Sequence, residues 1–200
     1  MFYIVEVDDY VRVEPKLFGL PTMESVSKQL RETYTGYYNK ELGKVVTVID
    51  VLEVAEGVII PGDGAAYYKS TFKLLVWRPV LQELVYGSIE EITSFGAFID
   101  MGVLQGMIHI SQTMDDFVSF SKTGSLSGKA SKRSLKTEDL CLARIVAISH
   151  KGDEPKIGLT MRQPGLGKLE WIKEDQIKKQ KDAEKLLKAQ IKEAKGGKKK

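Results

Sequence analysis

From Leu81 onward the sequence breaks into short β-favouring runs punctuated by glycine, at residues 81–92, 95–101, 107–110, 140–149 and 156–161. Five short strands in about eighty residues are too closely spaced for alternating strands and helices, and they predict a small all-β barrel. Gly87, Gly96 and Gly102 stand where the strands of such a barrel must bend. A short helical stretch is expected at residues 112–117, after the third strand. Residues 119–136 are rich in Ser, Gly and Lys, carry Lys122, Lys129, Lys132, Arg133 and Lys136, and contain no acid. Such a segment has little apolar surface with which to order itself, so a mobile loop is expected there.

The first half follows a different pattern. Tyr3, Val5 and Val7 alternate with Ile4, Glu6 and Asp8 before Val11 and Val13, which predicts a strand with one polar face. Pro15 ends it, and Phe18-Gly19-Leu20-Pro21 forms a turn. Thr22 is the expected N-cap of a helix reaching about Tyr38, with Met23, Val26, Leu30 and Tyr34 at helical spacing. Residues 44–52 predict a central strand and 58–60 a short separate one. A tight turn follows at Pro61-Gly62-Asp63-Gly64, then a strand over 67–78 that places Tyr68, Phe72, Leu74 and Val76 on one face. The expected architecture is an α+β unit, a helix on an antiparallel sheet, over residues 1–80. A five-stranded barrel over 81–167 and a charged helix with a lysine-rich tail over 168–200 complete it, and Pro79 marks the first boundary.

Charge and composition remove several function classes. The 200 residues include 30 Lys or Arg and 27 Asp or Glu, a formal net charge of +3. The excess is at the end: residues 168–200 hold 12 basic and 6 acidic groups, whereas 1–80 hold 9 and 11, and 81–167 hold 9 and 10. A basic tail on a near-neutral body attracts phosphate or simply stays solvated. No run approaches the roughly 18 apolar residues of a membrane span. Met1-Phe2-Tyr3-Ile4-Val5 also lacks the basic start of a signal peptide, so a cytoplasmic chain with no membrane partner is expected. Cys141, within Leu140-Cys141-Leu142-Ala143, reads as a buried strand residue. One cysteine with His109 and His150 makes no familiar zinc set, and no cofactor is expected.

Catalytic constellations are missing as well. Asp115 and Asp116 are neighbours, and neighbouring helical residues diverge rather than converge. Gly165-Leu166-Gly167-Lys168 is not a phosphate loop, because Arg162 replaces its first glycine and Leu169 its magnesium-binding hydroxyl. Gly62-Asp63-Gly64 joins two strands and opens no helix, unlike a dinucleotide loop. The chain is expected to be non-catalytic.

The chemistry that remains is aromatic. Phenylalanine rings on an exposed barrel face stack unpaired bases at about 1–3 kcal/mol each, and nearby cations neutralise phosphates. Phe95 and Phe98 are three residues apart, so regular pleating sends them to opposite faces and at least one to the core. Only a bulge near Gly96 lets both reach the surface. His109 taken alone reads as a structural imidazole.

The ordered set Gly87-Ser88-Ile89, Phe95-Gly96-Ala97-Phe98, Gly106-Met107-Ile108-His109-Ile110-Ser111 and Ile157-Gly158-Leu159-Thr160-Met161 resembles the RNA-binding OB-fold first described in ribosomal protein S-one. That resemblance implies an RNA face made of Phe95, Phe98 and His109, with Lys156 as the basic residue before the last strand. The acidic residue often found ahead of it has no clear match, since Ser149-His150 occupies that stretch. Met114-Asp115-Asp116-Phe117-Val118, Leu159-Thr160-Met161-Arg162-Gln163-Pro164, Leu166-Gly167-Lys168-Leu169-Glu170-Trp171-Ile172 and Pro15-Lys16-Leu17-Phe18-Gly19 resemble the E-prime family of archaeal RNA polymerase subunits. The second resemblance implies a polymerase stalk subunit that binds single-stranded nascent RNA. It also implies docking on the polymerase core through Phe18, Gly19, Leu20, Gly62, Asp63 and Gly64, and a heterodimer with a small helical subunit, for which the junction at 77–85 is the expected surface. Lys122, Lys129, Lys132 and Arg133 are expected to extend the electrostatic track.

Two other readings share the barrel. One is an RNA-binding component of a decay or translation complex. Decay cap proteins often carry a Gly-x-x-Gly loop, and no two glycines here are three apart. Translation factors of this type usually carry the barrel first. The other is an interaction-only protein whose barrel binds no RNA.

Overall fold

A computed structural model describes residues 1–121, 124–150 and 154–196. The chain divides into two compact units, Met1–Glu83 with Ile148–Pro155, and Leu84–Ala147 with Lys156–Lys200.

In the first unit, β1 (Phe2–Val13), α1 (Thr22–Tyr34), β2 (Tyr38–Asn39), β3 (Gly43–Ile59) and β4 (Ala66–Trp77) form one helix on an antiparallel sheet of order β1-β4-β3-β2. Val26 and Leu30 of α1 pack into a core with Val45 and Val48 of β3 and Phe72, Leu74 and Val76 of β4. Branched and aromatic side chains fill the pleated inner face, which is why these segments hold as strands.

Three details differ from expectation. Thr22 is the first helical residue rather than the cap; Pro21 holds the cap position without a side-chain hydrogen bond, and Ser25 N donates to Pro21 O at 2.9 Å. α1 ends at Tyr34, because Thr35 is extended and Gly36 takes φ +82°, a left-handed conformation that suits glycine. The segments 44–52 and 58–60 are one strand of 17 residues. Its register against β4 shifts at Val45/Thr47, Val48/Asp50, Val51/Glu53 and Val54/Gly57. Each bulge inverts the inside–outside alternation, which hides the continuity of the strand in the sequence.

The second unit holds β5 (Leu84–Thr93), β6 (Gly96–Asp100), β7 (Gln105–His109), β8 (Val118–Ser121), β9 (Ser125–Gly128), β10 (Ser134–Leu135), β11 (Leu140–Ser149), β12 (Lys156–Thr160), β13 (Gly167–Lys168) and α2 (Leu169–Gly196). β5, β6, β7, β12 and β11 follow one another around a closed five-stranded barrel, with β7 and β12 parallel, and β13 adds to β11. Ile89, Ile99, Ile108, Ile145 and Leu159 fill it. The strands approach closely at Gly96, where a Cβ would lie 2.1 Å from the Ile108 carbonyl oxygen. Cys141 is wholly buried in β11, and burial pushes its thiol up to about 12, so it is inert as a nucleophile.

Two expectations fail in this unit. Residues 112–117 form no α-helix; only a single 3-10 turn, Ile110–Gln112, follows β7. Nor are the described residues of the 119–136 segment an unstructured loop. They contribute to a three-stranded antiparallel sheet of order β10-β9-β8, with Leu126 and Leu135 fully buried. Asp116 clasps it by accepting the backbone N–H groups of Ala130 and Ser131, each at 2.8 Å. Segment composition averages away two buried leucines and gives no hint of an anchoring carboxylate outside the segment.

Among the described residues no helix is long and apolar enough to cross a membrane, and no group of three or more His, Cys, Asp or Glu is arranged to hold a metal.

Candidate nucleic-acid interface

The outward faces of β6, β7 and β12 lie side by side. Phe98 pairs with Met107, which in turn lies beside Gly158, while Ala97, Ile99, Gly106, Ile108, Ile157 and Leu159 point inward and are buried. Phe95 belongs to the Ser94–Phe95 turn just ahead of β6 rather than to the pleat, so the parity argument does not apply to it. The turn is held by Thr93 Oγ1 donating to Gly96 O at 3.0 Å and by Ile110 N donating to Phe95 O at 2.9 Å. The two rings meet edge to face with centroids 6.1 Å apart, and Phe95 is 48% exposed. No bulge at Gly96 is needed; the β6–β7 register runs unbroken, and the one shift in this hairpin is in β5 between Ile89 and Glu91.

His109 stands across from Gly96 and is exposed. Its Nδ1 accepts the Ser111 N–H at 3.3 Å and lies 2.8 Å from Ser111 Oγ, capping the 3-10 turn. With Nδ1 accepting, the ring proton is assigned to Nε2, which leaves that nitrogen as a donor. Lys156 is exposed at the start of β12, one step ahead of the Ile157–Gly106 pair, so it borders the same face near Gln105. Gln105 itself donates to Glu90 at 2.6 Å. Phe95, Phe98, His109 and Lys156 therefore share one face of the barrel. Met107, at the centre of that face, was missed because methionine among isoleucines reads as core; the alternation Gln105–Met107–His109 against Gly106–Ile108 is the signal that locates it.

The basic residues of the small sheet are used differently. Lys129 Nζ lies 4.5 Å from the ring centroid of Phe117, a ring 67% exposed that composition did not single out. Lys132 is exposed, with φ +55°. Arg133 pairs with Asp175 and lies over the Trp171 ring at 5.5 Å, tying the small sheet to α2. Lys122 lies outside the described residues. The adjacent acids are committed too. Asp115 accepts from Arg162 Nε at 2.9 Å, and the Ser131 backbone N–H leads the contacts that hold the Asp116 carboxyl below its usual range.

In the first unit, Val13 and Ile59 both align with Ala66, so the segments after β1 and β3 leave the sheet at one end. A Cβ on Gly64 would lie 3.9 Å from Pro15 Cγ. Phe18 and Leu20 are exposed there, next to buried Leu17. Gly62 adopts φ +92°, and Asp63 is clamped by Arg12 Nη2 and Nε at 2.8 and 2.9 Å and by Tyr67 Oη at 2.7 Å. The hydrogen bonds from Arg12, then those from Tyr67 and the Ala65 amide, hold its carboxyl far below the usual range. Ile59, 69% exposed, and its exposed neighbours Val58 and Ile60 extend the apolar surface beside this turn. Their place inside an apparently buried strand run concealed them.

A helix-backed sheet followed by a five-stranded OB-like barrel with an open aromatic face defines the class of this two-unit chain. Residues 8–64 match the family described as the SHS2 domain found in the N terminus of Rpb7p/Rpc25p/MJ0397. The chain is 38% identical over 177 residues to DNA-directed RNA polymerase subunit Rpo7 of Sulfolobus acidocaldarius, covering 88% of this chain and 97% of that one. It is 36% identical over 175 residues to subunit Rpo7 of Saccharolobus solfataricus, covering 86% and 97%. DNA-directed RNA polymerase III subunit RPC8 of Saccharomyces cerevisiae is 32% identical over 114 residues, 57% of this chain and 54% of that one. The chain belongs to the Rpo7 family of DNA-directed RNA polymerase subunits.

Proposed function

We propose that this chain is the accessory stalk subunit of a DNA-directed RNA polymerase and that its barrel holds single-stranded transcript against Phe95, Phe98, Met107 and His109. The observation that carries the reading is the pair of phenylalanine rings set edge to face on the same barrel face as the His109 imidazole and Lys156. Two stacking rings supply about 1–3 kcal/mol per base with little base preference, a grip weak enough for RNA that must keep sliding. Lys129 and Lys132, with Lys122 of the same segment, extend the positive track, whereas Arg133 acts through α2. Phe18, Gly19 and Leu20, with Gly62, Asp63 and Gly64, form the edge that docks on the polymerase core, and Val58–Ile60 widen it. Apolar groups on a turn fill pockets on a partner at little conformational cost. A small helical subunit completes the stalk as a heterodimer.

The test is titration of labelled single-stranded RNA at two salt concentrations into the wild-type chain and the Phe98→Ala/His109→Ala variant. Wild-type binding is expected to weaken with salt, and the double variant to bind about tenfold more weakly or worse with unchanged melting. Equal affinity in the two proteins would remove the RNA face and leave the interaction-only reading.

A further inference from the structure

α2 changes character along its length. Its first turns are fastened to the rest of the unit: Trp171 is buried with the Arg133 guanidinium over its ring, Asp175 pairs with Arg133, and Lys168 Nζ lies 3.0 Å from Asp139. From Gln176 to Ala183 every residue is exposed, Ile177 included. A helical segment with no covered face gains nothing from packing, so burial does not account for the residues it carries. Those residues are cations. Residues 178–200 hold ten lysines and three acids, whereas residues 1–177 hold 20 basic and 24 acidic groups. Within the described part of that segment Lys178, Lys179 and Lys181 are all exposed. The helix dipole favours cations in the final turn before Gly196 but not two or three turns earlier, and Lys198, Lys199 and Lys200 follow the end of the helix. The lysines are therefore explained neither by packing nor by helix polarity.

We infer that residues 178–200 are a basic arm that grips the phosphates of duplex DNA without reading its sequence. No aromatic residue follows Trp171, so the arm has no ring on which an unpaired base can stack, and this sets it apart from the barrel face. No arginine follows Arg162 either, and lysine is a flexible point charge rather than the planar fork that recognises guanine. What remains is attraction to phosphate, which is strongest where phosphates are densest. A duplex carries about one charge per 1.7 Å of axis, and each phosphate met releases about 0.9 counterion, against about 0.7 on a single strand. The helical part of the arm, residues 178–196, is about 28 Å long, enough to follow most of one duplex turn. The acidic excess in residues 1–177 disfavours close contact elsewhere, so the lysines carry it. Neither Phe98 nor His109 takes part, and the arm does not depend on the RNA face.

The experiment titrates the full-length chain into short labelled DNA duplexes of two unrelated sequences, and into duplex and single-stranded RNA of the same length, over a range of salt. Equal affinity for the two DNA duplexes is expected, falling steeply as salt is raised. The variant Lys179→Gln, Lys181→Gln, Lys185→Gln, Lys188→Gln and Lys192→Gln keeps good helix formers. It is expected to bind duplex DNA about tenfold more weakly or worse, with the slope of log affinity against log salt lowered by about 4.5 if each lysine meets one phosphate. Lys198→Gln with Lys199→Gln and Lys200→Gln, beyond α2, should lower that slope by about 2.7, which a folding defect in the helix does not imitate. Both variants should change single-stranded RNA affinity by less than about threefold. Phe98→Ala with His109→Ala should bind duplex DNA as wild type does, so failure of the arm and failure of the RNA face are read separately. Unchanged duplex affinity in both lysine variants overturns the proposal. So does a larger loss for single-stranded RNA than for duplex DNA, tighter binding of duplex RNA, or loss of duplex DNA binding in the barrel variant.

Discussion

The open barrel face and the small β8–β9–β10 sheet carry the same residue types, phenylalanine beside cations, yet they dispose of them differently. On the barrel face Phe95 and Phe98 meet only each other, edge to face, and His109 is exposed. Beside the small sheet the ring of Phe117 already carries Lys129 over one face, and Arg133 is bound to Asp175 and Trp171. An aromatic ring with a cation on its face has less to offer a base, and a guanidinium paired with a carboxylate has little left for a phosphate. Residue type alone therefore does not mark a nucleic-acid surface. What matters is whether ring and charge are still free once the fold has formed.

Several variants break or sharpen this contrast. The largest effect is expected from Phe95→Ala with Phe98→Ala. Loss of two stacking platforms costs about 2–6 kcal/mol, or about 30-fold and more in RNA affinity, and fluorescence anisotropy with a short oligonucleotide reads it. Phe117→Ala, read by the same measurement, is expected to change affinity by less than about threefold. Next comes His109→Ala, at about 1 kcal/mol or roughly fivefold, from the loss of one donor. A smaller change follows from Lys129→Gln with Lys132→Gln, which lowers the slope of log affinity against log salt by about 1.4 if each meets one phosphate of a single strand. Arg133→Gln should leave that slope alone and lower the melting temperature by about 2–4 °C, the mark of about 1 kcal/mol in a chain of this size.

The smallest effect belongs to another committed pair, Arg12 and Asp63. The folded state holds Asp63 below the ordinary carboxylate range, first through the Arg12 hydrogen bond, so the carboxylate adds stability above about pH 4 that is lost as the solution is acidified. Asp63→Asn is expected to melt lower than wild type at pH 7. The gap should narrow as pH falls below about 4 in parallel thermal scans.

How much of this was legible in the sequence differs from element to element. The barrel strands could be read because glycines and isoleucines fall at fixed intervals, and strand closure needs little beyond that pattern. The helix-backed sheet was visible in Val26 and Leu30 against Phe72, Leu74 and Val76, which share one core. β3 was split in the reading because its bulges reverse the alternation from which strands are recognised. The small sheet was missed because its order comes from contacts distant in sequence: Asp116 holds Ala130 and Ser131, and Asp175 holds Arg133. Phe95 and Phe98 could not be placed by spacing, since one is a turn residue and the other is pleated.

The most direct measurement is photocrosslinking of the full chain to single-stranded RNA carrying 5-iodouridine, with the attached residues located by mass spectrometry. Adducts are expected on Phe95, Phe98, Met107 or His109, falling away as salt is raised. Adducts confined to Phe117, Phe120 or the first unit, with the barrel face unmarked, would contradict the account.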